Sequence, residues 1–154
     1  MAQKERFPGR EMNYTKGKFF VDTNILVYAY DSSAGKKWKT SLEILSSLWI
    51  HRTGVISTQV IQELFVSLTQ KVKNPILPEK VKRIISDLLR WPLVVNDGEN
   101  ILRAADLQIK YHFCFWDSLI LQAAVASKSG ILLSEDFKDR QVIESVTILN
   151  PFLE

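Results

Sequence analysis

Apolar residues follow two rhythms along this chain. Short unbroken runs occur at Phe19-Phe20-Val21, Val55-Ile56-Ser57, Leu93-Val94-Val95, Ile131-Leu132-Leu133 and Val146-Thr147-Ile148-Leu149. Their length and β-branched content predict buried strands. Between most of them, apolar residues recur at steps of three and four. Trp38, Leu42, Leu45 and Trp49 predict a helix over about 36–50, and Val60, Ile61, Leu64, Phe65, Leu68 and Val72 a second over about 58–72. Pro75 and Pro78 punctuate the chain before a third helix at about 79–90, which Pro92 ends. A fourth covers about 98–111. The fifth, about 116–128, reads WDSLILQAAVASK and is apolar or small almost all round, which predicts a helix buried on most sides. Strands alternating with helices imply an α/β domain with a mainly parallel central sheet.

Four acids interrupt this frame at informative places. In FFVDTNILVYAYD, Asp22 ends the first predicted strand, and apolar sequence resumes at Ile25. Asp136 follows ILLS at the same kind of strand end, and Asp117 opens the fifth helix. In open α/β sheets, ligand chemistry gathers beyond the carboxyl ends of the strands. Glu63 lies on the second helix. At 100° per residue from Val60, the apolar stripe covers roughly 0–140° and Glu63 falls at roughly 300°, so it borders the stripe on the Val60 side. Each acid also has an ordinary structural reading. Asp22 and Asp117 suit helix caps, Glu63 an exposed helix flank, and Asp136 a turn or cap.

Composition narrows the classes. A chain of 154 residues, 46% hydrophobic and 24% charged, fits one globular domain with a real core rather than a disordered tract. No apolar run approaches the roughly 18 residues a membrane span needs, and MAQKERFPGR lacks the apolar core of a secretory signal. The one cysteine, Cys114, lies between Phe113 and Phe115 and is expected to pack as a small hydrophobe. Together these features imply a reducing, cytoplasmic setting. The net charge of +3 sits in residues 1–18, where five Lys/Arg face two Glu, while residues 19–154 hold 15 basic and 15 acidic residues. Two basic stretches, Lys36-Lys37-Trp38-Lys39 and Lys71 to Arg83, suit either a phosphate backbone or a solvated helix face.

Four carboxylates brought together without a counter-charge repel one another and raise one another's pKa values. No Lys or Arg lies within three residues of Asp22 or Asp117. A divalent cation would supply the missing charge, and an all-oxygen carboxylate site suits Mg²⁺ or Mn²⁺. His51 and His112 have no second His or Cys at ligand spacing, which argues against zinc. The reaction such a site supports is phosphodiester hydrolysis.

Four stretches carry a family resemblance: VDTNILVYA at 21–29, QVIQE at 59–63, WDSLILQAA at 116–124 and LLSED at 132–136. In this order the chain resembles a PIN-domain ribonuclease, most closely the small VapC-type toxins of prokaryotic toxin–antitoxin systems. The resemblance implies a PIN-like three-layer sandwich over residues 19–154, with the mainly parallel sheet between helices. Residues 1–18 form a basic extension that such proteins usually lack, expected to be poorly ordered and to add little to the core. By the same resemblance Asp22, Glu63, Asp117 and Asp136 form an acidic quartet. Asp22 and Asp117 would be the main metal ligands, Glu63 and Asp136 would complete the site, and Thr23, Asn24 and Ser134 would support it by hydrogen bonding. Glu135 is a possible extra acid. The implied activity is metal-dependent endoribonuclease cleavage leaving a 5′-phosphate and a 3′-hydroxyl. The implied partners are RNA, a small cognate antitoxin that covers the cleft, and a second copy of the chain in a homodimer.

Two other classes compete. A PIN-like module that binds RNA or protein without cutting would be expected to have lost one or more of the acids, and all four are present. A receiver or a phosphatase of the D-x-D-x-T type needs a second acid after the first strand, where this chain has D-T-N. No G-x-x-x-x-G-K-[ST] or G-x-G-x-x-G occurs, which removes the nucleotide-binding folds that use them.

Overall fold

The computed structural model describes residues 6–7 and 10–153; residues 1–5, 8, 9 and 154, which include much of the basic extension, lie outside the described residues. The chain opens with a short antiparallel pair, β1 (Arg6–Phe7) and β2 (Arg10–Glu11). There follow β3 (Phe19–Val21), α1 (Thr23–Ala29), a 3-10 turn (Ser32–Ala34), α2 (Lys36–His51), β4 (Gly54–Ser57) and α3 (Thr58–Val66). A π-helical turn (Ser67–Lys71) leads to α4 (Pro78–Leu88), β5 (Leu93–Val94), α5 (Gly98–Tyr111) and α6 (Phe115–Ala126). The chain closes with β6 (Ile131–Leu133), β7 (Val142–Ile143) and β8 (Val146–Leu149).

Six strands form the central sheet in the order β5-β4-β3-β6-β8-β7. All neighbours run parallel except β7, which pairs antiparallel with β8 at the edge. Phe19 faces Gly54 on one side and Ile131 on the other, so β3 is the centre of the sheet. Successive crossovers move from β3 to β5 in one direction, then return past β3 to β6. Because such crossovers are right-handed, the reversal puts α1–α4 on one face and α5–α6 on the other. The result is the expected three-layer α/β sandwich. It also makes the carboxyl end of β3 the switch point, where a crevice opens between divergent connections.

Phe19, Phe20, Val21, Val55, Ile56, Leu132, Leu133 and Ile148 are buried in the sheet, which explains the unbroken apolar runs. The chain before β3 contributes more than expected. Met12 and Tyr14 join the core, the Tyr14 ring lies 4.9 Å from Phe19, and its carbonyl accepts the Thr53 hydroxyl at 2.8 Å. The expectation that this segment adds little to the core is therefore corrected at these two residues: Tyr14 packs on Phe19, and Met12 accepts the Tyr14 hydroxyl through its sulfur.

Three helical expectations also change. Helix α1 was anticipated only as a cap at Asp22 and not as an element, because Ile25, Leu26, Val27 and Ala29 are all buried and an all-round apolar stretch carries no helical period. The buried face of α2 centres on Ser41, Ile44, Leu45 and Leu48, while Leu42 is exposed and Trp38 and Trp49 are half-buried. The α-helix at 58 stops at Val66, and the next turn is π, closed by the Val72 amide on the Ser67 carbonyl at 3.1 Å. Phe65 faces outward, so the buried side of α3 is turned toward Gln59, Val60 and Leu64, bringing Glu63 closer to the interior than the stripe suggested.

Candidate active site

Asp22 stands at the switch point. Its amide continues the β3–β6 ladder by donating to the Leu133 carbonyl at 3.0 Å, and its side chain caps α1. One carboxylate oxygen, Oδ1, accepts from the Thr23 amide at 2.7 Å, and Oδ2 accepts from the Ser134 hydroxyl at 2.7 Å. Both readings of this residue thus hold together: it is a helix cap and an acid at a strand end. The residue is only 5% exposed. Burial pushes its carboxyl up to about 7, and the charges of Asp136 and Glu63 push the same way, while the bonds from Ser134 and Thr23 oppose them.

The other three acids reach the same crevice from separate elements. Asp136 follows β6, where its amide donates to the Ser134 hydroxyl oxygen at 3.1 Å. Its carboxyl is raised by partial burial and then by the charges of Asp117, Glu135 and Glu63, against a stabilising contact with Asp22. Glu63 projects from α3 with both oxygens engaged: Oε2 accepts the Thr23 hydroxyl at 2.6 Å and Oε1 accepts Gln59 Nε2 at 2.8 Å. Gln59 Nε2 also donates to the Trp116 carbonyl at 3.2 Å, tying α3 to the start of α6. Asp117, half-buried, lies in the first turn of α6 but does not cap it. The cap is Cys114, whose sulfur accepts the Asp117 amide at 3.4 Å. Cys114 is exposed, so its expected place in the core is corrected; the chain turns outward there to start the helix.

Asp22, Glu63 and Asp136 are therefore within electrostatic reach of one another and Asp117 is within reach of Asp136, and among the described residues none of the four is ion-paired with Lys or Arg. The PIN domain profile matches residues 19–142, the stretch that carries all four. The chain belongs to the PIN domain family. No curated protein matches this PIN domain significantly in sequence. Solved structures do match its fold. A toxin–antitoxin complex from Klebsiella pneumoniae is 17% identical with a TM-score of 0.61, over 89% of this chain and 100% of that one. VapBC2 from Rickettsia felis, bound to a DNA fragment from its promoter, is 20% identical with a TM-score of 0.56, over 84% and 96%. VapC20 from Mycobacterium tuberculosis, described as a sarcin–ricin loop cleaving toxin, is 13% identical with a TM-score of 0.62, over 82% and 98%.

Not every acid near the crevice of this PIN domain is left uncompensated. Glu135 points to the other side of the post-β6 turn, where Lys37 Nζ donates to Oε2 at 2.7 Å and Tyr28 and Asn24 donate to Oε1. Lys37 in turn lies 5.0 Å from the Tyr28 ring centroid and 5.3 Å from that of Phe152. Asn24 therefore braces Glu135 rather than the quartet, whereas Thr23 and Ser134 contact quartet members directly. Sequence reasoning missed Gln59 and Lys37. Gln59 was findable, since it precedes Glu63 by one helical turn. An open groove of about 400 Å³ runs beside Glu63, lined by Thr23, Asn24, Gln62, Glu63, Val66, Ser67 and Lys71.

The fit to a metal can be judged from the donor set. Among the described residues, no three His, Cys, Asp or Glu side chains converge at direct-ligation distance. The chemistry of the set nevertheless matches a hard divalent cation. It is all oxygen, none of the four acids is ion-paired among the described residues, and burial raises the Asp22 carboxyl to about 7. A bound cation would reverse that penalty by favouring the ionised form.

Proposed function

We propose that this PIN domain is a metal-dependent endoribonuclease and the toxin of a toxin–antitoxin pair. The observation that supports this reading is the mutual charge repulsion among Asp22, Glu63 and Asp136 at the sheet's switch point, with Asp117 acting on Asp136 and none of the four ion-paired among the described residues. Asp22 and Asp117 would hold Mg²⁺ or Mn²⁺, with Glu63 and Asp136 completing the site directly or through water. Such an ion supplies an activated water and charge stabilisation at a phosphodiester. The protein's own share is positioning. Thr23 and Gln59 fix both oxygens of Glu63, so its carboxylate enters the crevice in one orientation. Ser134 favours the anion of Asp22 and braces the turn that presents Asp136.

The partners follow from the same reading: RNA in the crevice, a small antitoxin over it and a second copy of the chain. The toxin–antitoxin complexes among the structural neighbours support the antitoxin, and the description of VapC20 supports RNA. The cytoplasm is the setting in which such a pair would act. No helix among the described residues is long and apolar enough to cross a membrane. One observation favours a second reading, a PIN-like module that binds RNA or protein without cutting: the acids do not converge to direct-ligation distance.

Cleavage of a mixed RNA pool separates the two readings. The purified protein is assayed with Mn²⁺ or with EDTA, beside an Asp117→Asn variant. The nuclease reading expects cutting with Mn²⁺ alone, lost in the variant. Cutting that persists equally in the variant removes Asp117 from the site. A folded protein that binds RNA but cuts none supports the inert module.

A further inference from the structure

Trp116 is the most solvent-exposed of the four tryptophans, at 62%, although it sits directly beside the candidate site. The residue after it is Asp117, and its carbonyl is the group that Gln59 holds while Gln59 also holds Glu63. Its ring is backed by Phe115 at 5.4 Å between centroids and an interplanar angle of 73°. The backbone beneath it is the first turn of α6, whose next residues, Ser118 to Ala124, are all buried. The indole is thus fixed at its base and open on its outer side. We infer that Trp116 is a stacking platform for an unpaired RNA base next to the phosphate to be cut, an inference that rests on the function proposed above.

Charge and shape around Glu63 favour a nucleic-acid occupant over an apolar one. Gln59 Nε2 bridges Glu63 Oε1 and the Trp116 carbonyl, while Oε2 accepts from Thr23, which with Glu63 and Lys71 lines the groove. The residue that carries an exposed aromatic ring is thus one bridging side chain away from Glu63, and a lysine lines the groove beside the same carboxylate. A single strand has matching parts: a base with a π-face and, along the backbone, a phosphate for Lys71. Unpaired bases splayed onto aromatic side chains are the common mode by which proteins hold single-stranded RNA. A buried or double-stranded base has no such face to offer, so the platform selects loops, bulges and ends.

The test is binding of a short fluorescein-labelled single-stranded RNA in Mn²⁺, in an Asp117→Asn background that does not cut. Trp116→Ala should weaken binding by roughly tenfold or more, the usual effect of losing one stacked base, and Trp116→Phe should recover most of it. Replacing the bases of the RNA with abasic sites should erase the difference between Trp and Ala, which a merely structural role would not do. Unchanged affinity in Trp116→Ala, while the parent binds RNA, overturns this inference and leaves the nuclease reading standing. Unchanged affinity with a smaller species by light scattering assigns Trp116 to contact between copies instead. A parent that binds no RNA, together with a wild type that cuts none, overturns both.

Discussion

Ser134 donates its hydroxyl proton to Asp22 Oδ2 across 2.7 Å, and its oxygen accepts the Asp136 amide across 3.1 Å. One fully buried side chain thereby joins the ends of two neighbouring parallel strands and two members of the quartet. Ser134→Ala leaves a buried carboxyl short of a donor and an amide short of an acceptor, a loss of about 1–3 kcal/mol. Because the Ser134 bond is what most opposes the upward push on Asp22, the variant's Asp22 should also titrate higher. Urea unfolding should register the first effect. The acidic limb of the pH–rate profile for RNA cleavage should register the second, by moving to higher pH.

The titration of Asp22 has a consequence for stability. Its carboxyl goes from an ordinary 3.8 to about 7 on folding, so the folded protein binds the proton more tightly than the unfolded chain. That contribution is complete below about pH 4 and is lost as pH rises through about 7. Asp136, shifted the same way, adds to it. Metal-free protein should melt lower at pH 8 than at pH 5, by roughly 5–10 °C, because the two units between pH 5 and about 7 are worth about 3 kcal/mol. Asp22→Asn should flatten this dependence. Millimolar Mn²⁺ should raise the melting temperature at pH 8, where the ligands are ionised, and much less at pH 5. Equal melting temperatures at both pH values in EDTA would remove the uncompensated buried acid.

Much of this arrangement was legible in the chain. The runs at 19–21, 55–57, 131–133 and 146–149 became sheet strands because both faces of a parallel sheet are covered. Asp22 and Asp136 stood out because each follows a buried strand, although a cap or turn role fits such a place as well, and Asp22 is indeed a cap. What could not be read was phase and distance. Helix α1 has no polar face, so ILVYA gave no period. The two-residue strand β7, Val142–Ile143, is too short to leave a pattern. On α2, small Ser41 and Ser47 are buried while Leu42 is exposed, so hydropathy placed the face one position off. Glu135 and Lys37 are 98 residues apart, and no local rule links them.

The Lys37–Glu135 pair is expected to act on the site through the turn that carries Asp136. Glu135 is 15% exposed and Lys37 44%, so removing the lysine leaves a nearly buried carboxylate with only the Tyr28 and Asn24 donors. Lys37→Met should cost about 1 kcal/mol, solvent screening keeping it below a fully buried pair. The unneutralised charge should raise the Asp136 carboxyl further, since Glu135 already contributes to that shift. RNA cleavage should fall in Lys37→Met and recover in Lys37→Met/Glu135→Gln, where the extra charge is gone. A double-mutant cycle in which the two changes simply add would dissolve the coupling.

Gly54 opens β4, and a Cβ placed there would lie 2.5–2.8 Å from three atoms of the Trp91 ring. That ring is buried and packs edge-on against Trp49 at 5.3 Å, so to admit a Cβ it must shift as a rigid plate toward the neighbouring cavity of about 370 Å³. Gly54 is therefore required for close approach rather than for an unusual backbone angle. Gly54→Ala should destabilise the fold by about 1–3 kcal/mol, the usual cost of forcing a buried ring out of its packed position. Trp91→Leu in the same chain should relieve the clash, making the double variant less destabilised than the two losses combined. The candidate site lies at the opposite, carboxyl end of β4. Any RNA cleavage per folded molecule should therefore stay at the wild-type rate, measured below the melting temperature of the variant.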